Sequence, residues 1–335
     1  MIRLILAVLC AGLAAPAFAA PAPDTAAELA KLRAADQRVL SVGYRLATSN
    51  APFCQVTENS IGMTLHHIGQ YGDANAARAT FGFAREYAVL ALVPGGPAAT
   101  AGVLLDDAVA ALNGKPFQAS AAELEAIDQP AAYRPVTWAD ATLRSALGDG
   151  PVSLTLQRDG AAIDMTLTGT LACRSRFELR PTGEYGASAD GDIVGITSAM
   201  LGFMVDDDEL AAILAHELAH NLLEHRKRLN AAGIQRGLMQ QLGRNARLTL
   251  ETEIEADRLS IWLMANAGYD PSGAVRFWTR YGKQRGKGIF SAPTHYRWKK
   301  RVELFEEETA KLAGATKDPR GWFPPLLAEP LKPLD

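Results

Sequence analysis

The chain has 335 residues, 48% of them hydrophobic and 7% aromatic. That balance excludes a disordered chain or a small disulfide scaffold and leaves room for two domains of ordinary size. A formal net charge of −3, with no Lys/Arg run, excludes a phosphate-reading partner, so no nucleic acid is expected.

Residues 1–19 read as a secretory signal peptide. Arg3 supplies the positive start, Leu4 to Leu13 is a short apolar run, and Ala17-Phe18-Ala19 is a small-x-small cleavage site. The segment implies a periplasmic or secreted protein. Leu9 precedes Cys10 where a lipidation signal carries a small residue, which argues against a lipoprotein. No later stretch approaches the ~20 apolar residues of a spanning helix, so no transmembrane segment is expected in the mature chain. Cleavage leaves Cys54 and Cys173. An even count in an oxidising compartment predicts a disulfide between them.

Ala26 to Ala47 has helical spacing of Leu29, Leu32, Val39 and Leu40. Strand-like alternation follows around Ile61 to Leu65. From Phe81 to Leu171 runs a self-contained block. It holds an apolar strand from Ala88 to Val93, the turn Pro94-Gly95-Gly96-Pro97, a strand from Ala108 to Leu112 and the turn Asn113-Gly114. A helix near Trp138 to Leu147 precedes two alternating strands joined by Arg158-Asp159-Gly160, a hairpin signal.

This block resembles a bacterial PDZ domain. The likeness lies in Val93-Pro94-Gly95-Gly96-Pro97-Ala98-Ala99-Thr100-Ala101-Gly102-Val103, Asp107, Asn113-Gly114 and the Leu154-to-Gly160 hairpin. Asp106 departs from it, standing where the family has Gly; Asp tolerates left-handed backbone. By the resemblance, Phe81, Gly82 and Phe83 form the loop whose N–H groups receive a peptide's C-terminal carboxylate, with the peptide adding a strand to a sheet edge.

A strong helix begins after Asp206, with Glu209 completing a capping-box-like start. It carries His216-Glu217-Leu218-Ala219-His220. The two histidines are four apart and share a face, so both can reach one Zn²⁺ at ~2.0–2.1 Å. Glu217 lies ~100° round from His216, beside the metal, where a general base belongs. A third ligand must come from elsewhere. In Glu251-Thr252-Glu253-Ile254-Glu255-Ala256-Asp257, Glu253 and Asp257 share a helix face. Glu253 can therefore ligate while Asp257 supports a histidine N–H, and Glu255 falls on another face. His225 is five residues past His220, ~140° round a continued helix, and is excluded as a ligand. His66 and His67 have no ligand spacing.

The two-part motif, with Ala267-Gly268-Tyr269-Asp270-Pro271, resembles HtpX-like and CAAX-prenyl-protease-type gluzincin zinc metallopeptidases, and among them the soluble periplasmic BepA-like branch. The resemblance covers roughly 190–310 and implies one Zn²⁺ per chain on His216, His220 and Glu253, with Glu217 as base. It also implies roles for His295, as an oxyanion group or a latch on the metal, and for Arg301, as added positive charge; Tyr296 replaces the family's Pro there. The family's substrate-pairing edge strand falls on Ile193 to Ser198, with Phe177 to Arg180 beside it.

The expectation is an α+β protein: a mainly helical zincin-type metallopeptidase domain with a small β-sheet, and a PDZ-like β domain inserted in it. Its expected parts are a signal peptide (1–19), the N-terminal part of the peptidase unit (20–75), the PDZ-like domain (76–171), the metallopeptidase domain (172–315) and a Pro-rich tail (316–335), extended on the surface or disordered. The expected function is endoproteolysis of unfolded or extended envelope proteins, in quality control, with protein C-termini held at the PDZ-like domain. The alternative is a latched, inactive zinc protein acting as a chaperone or binding module.

Overall fold

The computed structural model describes residues 23–234, 243–285 and 297–334. The expected signal peptide and His295 lie outside them.

In chain order, helix α1 (Pro23–Ser49) is followed by β1 (Thr57–Ser60), β2 (Met63–His67), α2 (Ala74–Phe81), β3 (Tyr87–Leu92) and the short α3 (Pro97–Thr100). Then come β4 (Ala108–Leu112), β5 (Lys115–Pro116), α4 (Ala121–Glu125), α5 (Arg134–Gly148), β6 (Val152–Arg158), β7 (Ala161–Leu167) and β8 (Thr170–Cys173). Three strands follow, β9 (Arg176–Arg180), β10 (Ala187–Ala189) and β11 (Ile193–Thr197). The helices α6 (Ser198–Phe203), α7 (Asp207–Leu222), α8 (His225–Ala231), α9 (Gly243–Asn266), α10 (Ser272–Arg285) and α11 (Trp298–Ala313) precede the hairpin β12 (Lys317–Asp318) and β13 (Gly321–Trp322).

This is a mixed helix and sheet architecture with two main cores. One gathers α1, β9, β11, α7, α9 and α10 around Leu46, Ile196, Leu214, Leu218, Leu263 and Phe277. The Asp206 carboxylate caps α7 by accepting from Glu209 N at 2.9 Å. Leu210, Ala211, Ile213, Leu214, Ala215 and Leu218 bury the helix on nearly every side, as an interior helix requires. At Gly43 of α1 an added Cβ would overlap the Phe177 ring of β9, so glycine sets how closely this helix meets the sheet.

The second core lies in the sheet ordered β2-β3-β4-β6-β7, with β5 paired to β4. Asp106 adopts φ 68°, the left-handed turn that an Asp tolerates. Asp159 (φ 50°) and Gly160 (φ 79°) close the β6–β7 hairpin. The sheet begins at Met63, upstream of the boundary at 76, because residues 63–67 pair antiparallel with β3. β1 and β8 pair antiparallel at the neck, where Cys54 and Cys173 form a disulfide with Cα atoms 5.4 Å apart.

α1 grips both cores. Gln37 brackets the Leu92 backbone, its Oε1 accepting from Leu92 N at 2.9 Å while its Nε2 donates to Leu92 O. Arg33 pairs with Asp106. On the opposite side, Arg144 of α5 donates to Glu58 (2.8 Å) and in bidentate fashion to Asp192 (2.9 and 3.0 Å). The tail from 316 to 334 is docked: Trp322 N donates to Asn266 Oδ1 at 2.8 Å, and Leu334 is buried beside Leu248.

The small sheet corrects one expectation. β11 is its central strand, parallel to β9 on one side and antiparallel to β10 on the other. The strand at 193–197 is therefore covered on both edges, and β10 is the edge strand beside α7.

Candidate metal centre

α7 and α9 pack together and bring His216, His220 and Glu253 to one point. The two Nε2 atoms lie 3.1 Å apart, and each is 3.5 Å from a Glu253 oxygen. A tetrahedral ion with ~2.05 Å arms has ligand–ligand edges of ~3.3 Å. Two imidazoles and a carboxylate at that spacing fit a metal ion.

Glu217 is half-buried beside this triangle. Burial raises its carboxyl, the nearby Glu253 adds to that, His216 and Arg301 oppose it, and the result is about 7. A carboxyl poised there can take up and return a proton near neutral pH.

Behind His216 stands a fully buried ion pair. His216 Nδ1 lies 2.8 Å from Asp257 Oδ1, and Arg301 Nε donates to Asp257 Oδ2 at 2.7 Å. Burial alone would raise the Asp257 carboxyl, but Arg301 and His216 outweigh it and hold it below the usual range. The same carboxylate overcomes the burial of His216 and, in the metal-free centre, lifts that imidazole to about 10. Asp257 thus sits where the shared face of Glu253 and Asp257 puts it. Arg301 brings its positive charge in from behind the centre. It lies on the Nδ1 side of His216, 3% exposed and 3.7 Å from the Trp278 ring centroid, and its charge supports Asp257.

Behind His220 stands a different arrangement. His220 Nδ1 is 2.7 Å from His225 Nδ1, and His225 Nε2 is 2.9 Å from Glu255 Oε2. Arg228 donates to both Glu255 oxygens, at 2.6 and 3.2 Å. Burial works against the charge on Glu255, yet its bonds to His225 and Arg228 hold it down to about 2. His225 lies outside the His216–His220–Glu253 group but touches His220. The ~140° argument assumed a continuous helix. In the structure α7 ends at Leu222, and Glu224 turns the chain through φ 51°. Glu is an unusual residue for that conformation, so no sequence signal announced the break.

The proposed carboxylate loop is otherwise engaged. Phe81 and Phe83 are buried against His66 and Tyr71, and the Gly82 N–H closes α2 by donating to Arg78 O at 2.8 Å. Those rings are core, and that N–H has an acceptor. A cavity lies elsewhere in this unit. β2 has no strand partner on its outer edge among the described residues, and α5 lies across it. Between them is a cavity of about 120 Å³ lined by Ile61, Met63, Leu65, Leu143 and Leu147, with Tyr44 of α1 opposite.

Residues 184–250 match the model of peptidase family M48, a span that takes in His216, Glu217 and His220 and stops short of Glu253. The chain is also 29% identical over 138 residues to the mitochondrial metalloendopeptidase OMA1 of Schizosaccharomyces pombe. That match covers 35% of this chain and 41% of the relative, so it spans less than half the length of the curated protein. Both findings support a metallopeptidase. Among the described residues no helix is long and apolar enough to cross a membrane.

Proposed function

We propose that the chain is an M48-type zinc metalloendopeptidase. The observation that carries this reading is the convergence of His216, His220 and Glu253 within 4.8 Å, with Glu217 beside them. When bound, zinc supplies a Lewis acid for a scissile carbonyl and for a water nucleophile. Glu217 takes the proton from the attacking water on its carboxylate and returns it to the leaving amine. Asp257 and Arg301 keep His216 in one orientation. β10, the antiparallel edge strand beside α7, is the natural partner for an extended substrate backbone.

The substrates in this reading are unfolded or extended proteins of the bacterial envelope, as in quality control. The leader-like segment 1–19 and the Cys54–Cys173 disulfide favour an oxidising, exported setting. The inserted unit, read as PDZ-like, holds a protein C-terminus at the free edge of β2, in the groove against α5, instead of at residues 81–83.

Glu217→Gln tests the chemistry. The variant is expected to bind zinc as the wild type does and to lose ~10²–10⁴-fold in cleavage of a reduced, unfolded protein. Cleavage at the wild-type rate would remove Glu217 from the mechanism.

A further inference from the structure

We infer that His225 is a positioning residue for the metal centre: it accepts the Nδ1 proton of His220 and so keeps the Nε2 lone pair of His220 turned toward His216 and Glu253. The inference rests on the metal-centre reading above. A nitrogen that gives its lone pair to a metal carries no proton, so the proton of a neutral, ligating His220 resides on Nδ1. The neighbour of that N–H is His225 Nδ1, at 2.7 Å. His225 Nδ1 must then be bare, which places the ring's proton on Nε2. That nitrogen points at the Glu255 carboxylate, 2.9 Å away, the acceptor it needs.

The direction of the row is set at its far end. A carboxylate has no proton to give, so it selects the tautomer of His225 with Nε2–H, and His225 in turn selects the tautomer of His220. Arg228 keeps Glu255 ionised through two hydrogen bonds. The Nε of Arg228 donates to Lys332 O at 3.0 Å, so the row ends on the C-terminal tail. His225 is 2% exposed and pairs with one group on each side. The left-handed turn at Glu224 is what folds it back over His220. A support of this kind orients the ligand and strengthens its donation.

The test compares His225→Leu with His225→Asn in the full-length protein. The Asn amide oxygen takes roughly the place of Nδ1 and accepts from His220, whereas Leu accepts nothing. Zinc affinity, measured by chelator competition, is expected to fall ~10–100-fold in the Leu variant and to recover largely in the Asn variant. Without metal, nitrogen-15 spectra are expected to show His220 as the Nδ1–H tautomer in wild type and in the Asn variant, and as a mixture in the Leu variant. If Leu at 225 prevents folding, Glu255→Leu breaks the row one bond further out and is expected to give the same mixed tautomer. Equal affinity in all variants, or an equal loss with Asn and Leu, would overturn the inference. A wild type that takes up no zinc but holds His220 as Nδ1–H would refute the metal-centre reading and support the His220–His225 bond.

Discussion

His216 and His220 leave the same helix one turn apart and offer the same atom, Nε2, yet what stands behind each differs. His216 rests directly on a carboxylate, Asp257, locked by Arg301, and both acidic and basic partners are almost without solvent contact. His220 reaches its carboxylate through another ring, and that carboxylate, Glu255, is 28% exposed. The inner support is short, rigid and dry; the outer one is longer and ends near water. Buried charges are costly to leave unpaired, and exposed ones much less so. One helix, α9, supplies Glu253 of the triangle and both supporting carboxylates, so its docking on α7 brings the centre together.

The difference can be sharpened by removing each support in turn. The largest effect is expected from Asp257→Ala, which strands Arg301 and His216 in the core. Denaturant unfolding of the metal-free protein should show a loss of ~3–5 kcal/mol, and a loss below 1 kcal/mol would show that the inner pair is not the firmer one. Arg228→Ala is expected to cost less, ~1–2 kcal/mol, since Glu255 can turn to solvent. Equal losses at both sites would erase the contrast between the supports.

The last effect concerns pH. The Glu255 carboxyl is held at about 2, against 4.5 ordinarily. A depressed carboxyl stabilises the fold fully above its unfolded value and loses that contribution as pH falls through the folded one. Metal-free wild type should therefore weaken between pH 4.5 and about 2 more steeply than Glu255→Gln. The difference is at most ~1.4 kcal/mol per pH unit and is reduced by solvent screening at this part-exposed group. Parallel slopes would place the stabilisation of Glu255 elsewhere.

The triangle was legible in the sequence because its logic is local. His216 and His220 share a face by helical spacing, and so do Glu253 and Asp257; only the meeting of the two helices had to be supplied. The Asp106 and Asp159-Gly160 turns were readable for the same reason. What escaped depended on tertiary placement. His225 was dismissed on the angle of a helix that breaks one residue before it. Arg301 was expected only as added positive charge, and the packing of α11 is what shows it behind His216, paired with Asp257. β11 has the pattern of any half-buried strand, and nothing in that pattern says that β10 will cover its outer edge. Residues 81–83 carry a suggestive Gly between two aromatics, but those aromatics serve the core.

The neck of the inserted unit has a consequence for how such a chain can change over time. Cys54 and Cys173 are 119 positions apart in sequence, yet their Cα atoms are separated by 5.4 Å. Seen from the helices that hold the metal ligands, everything between them is attached like a short surface loop. A change in the length of the segment between them need not alter the 5.4 Å spacing at its base. What limits such change is α1, where Arg33 and Gln37 hold on to Asp106 and Leu92 of the inserted unit, and the Asp192 turn, held by Arg144 from the unit's side. A replacement cassette would have to offer that helix a matching surface or leave one flank of it bare.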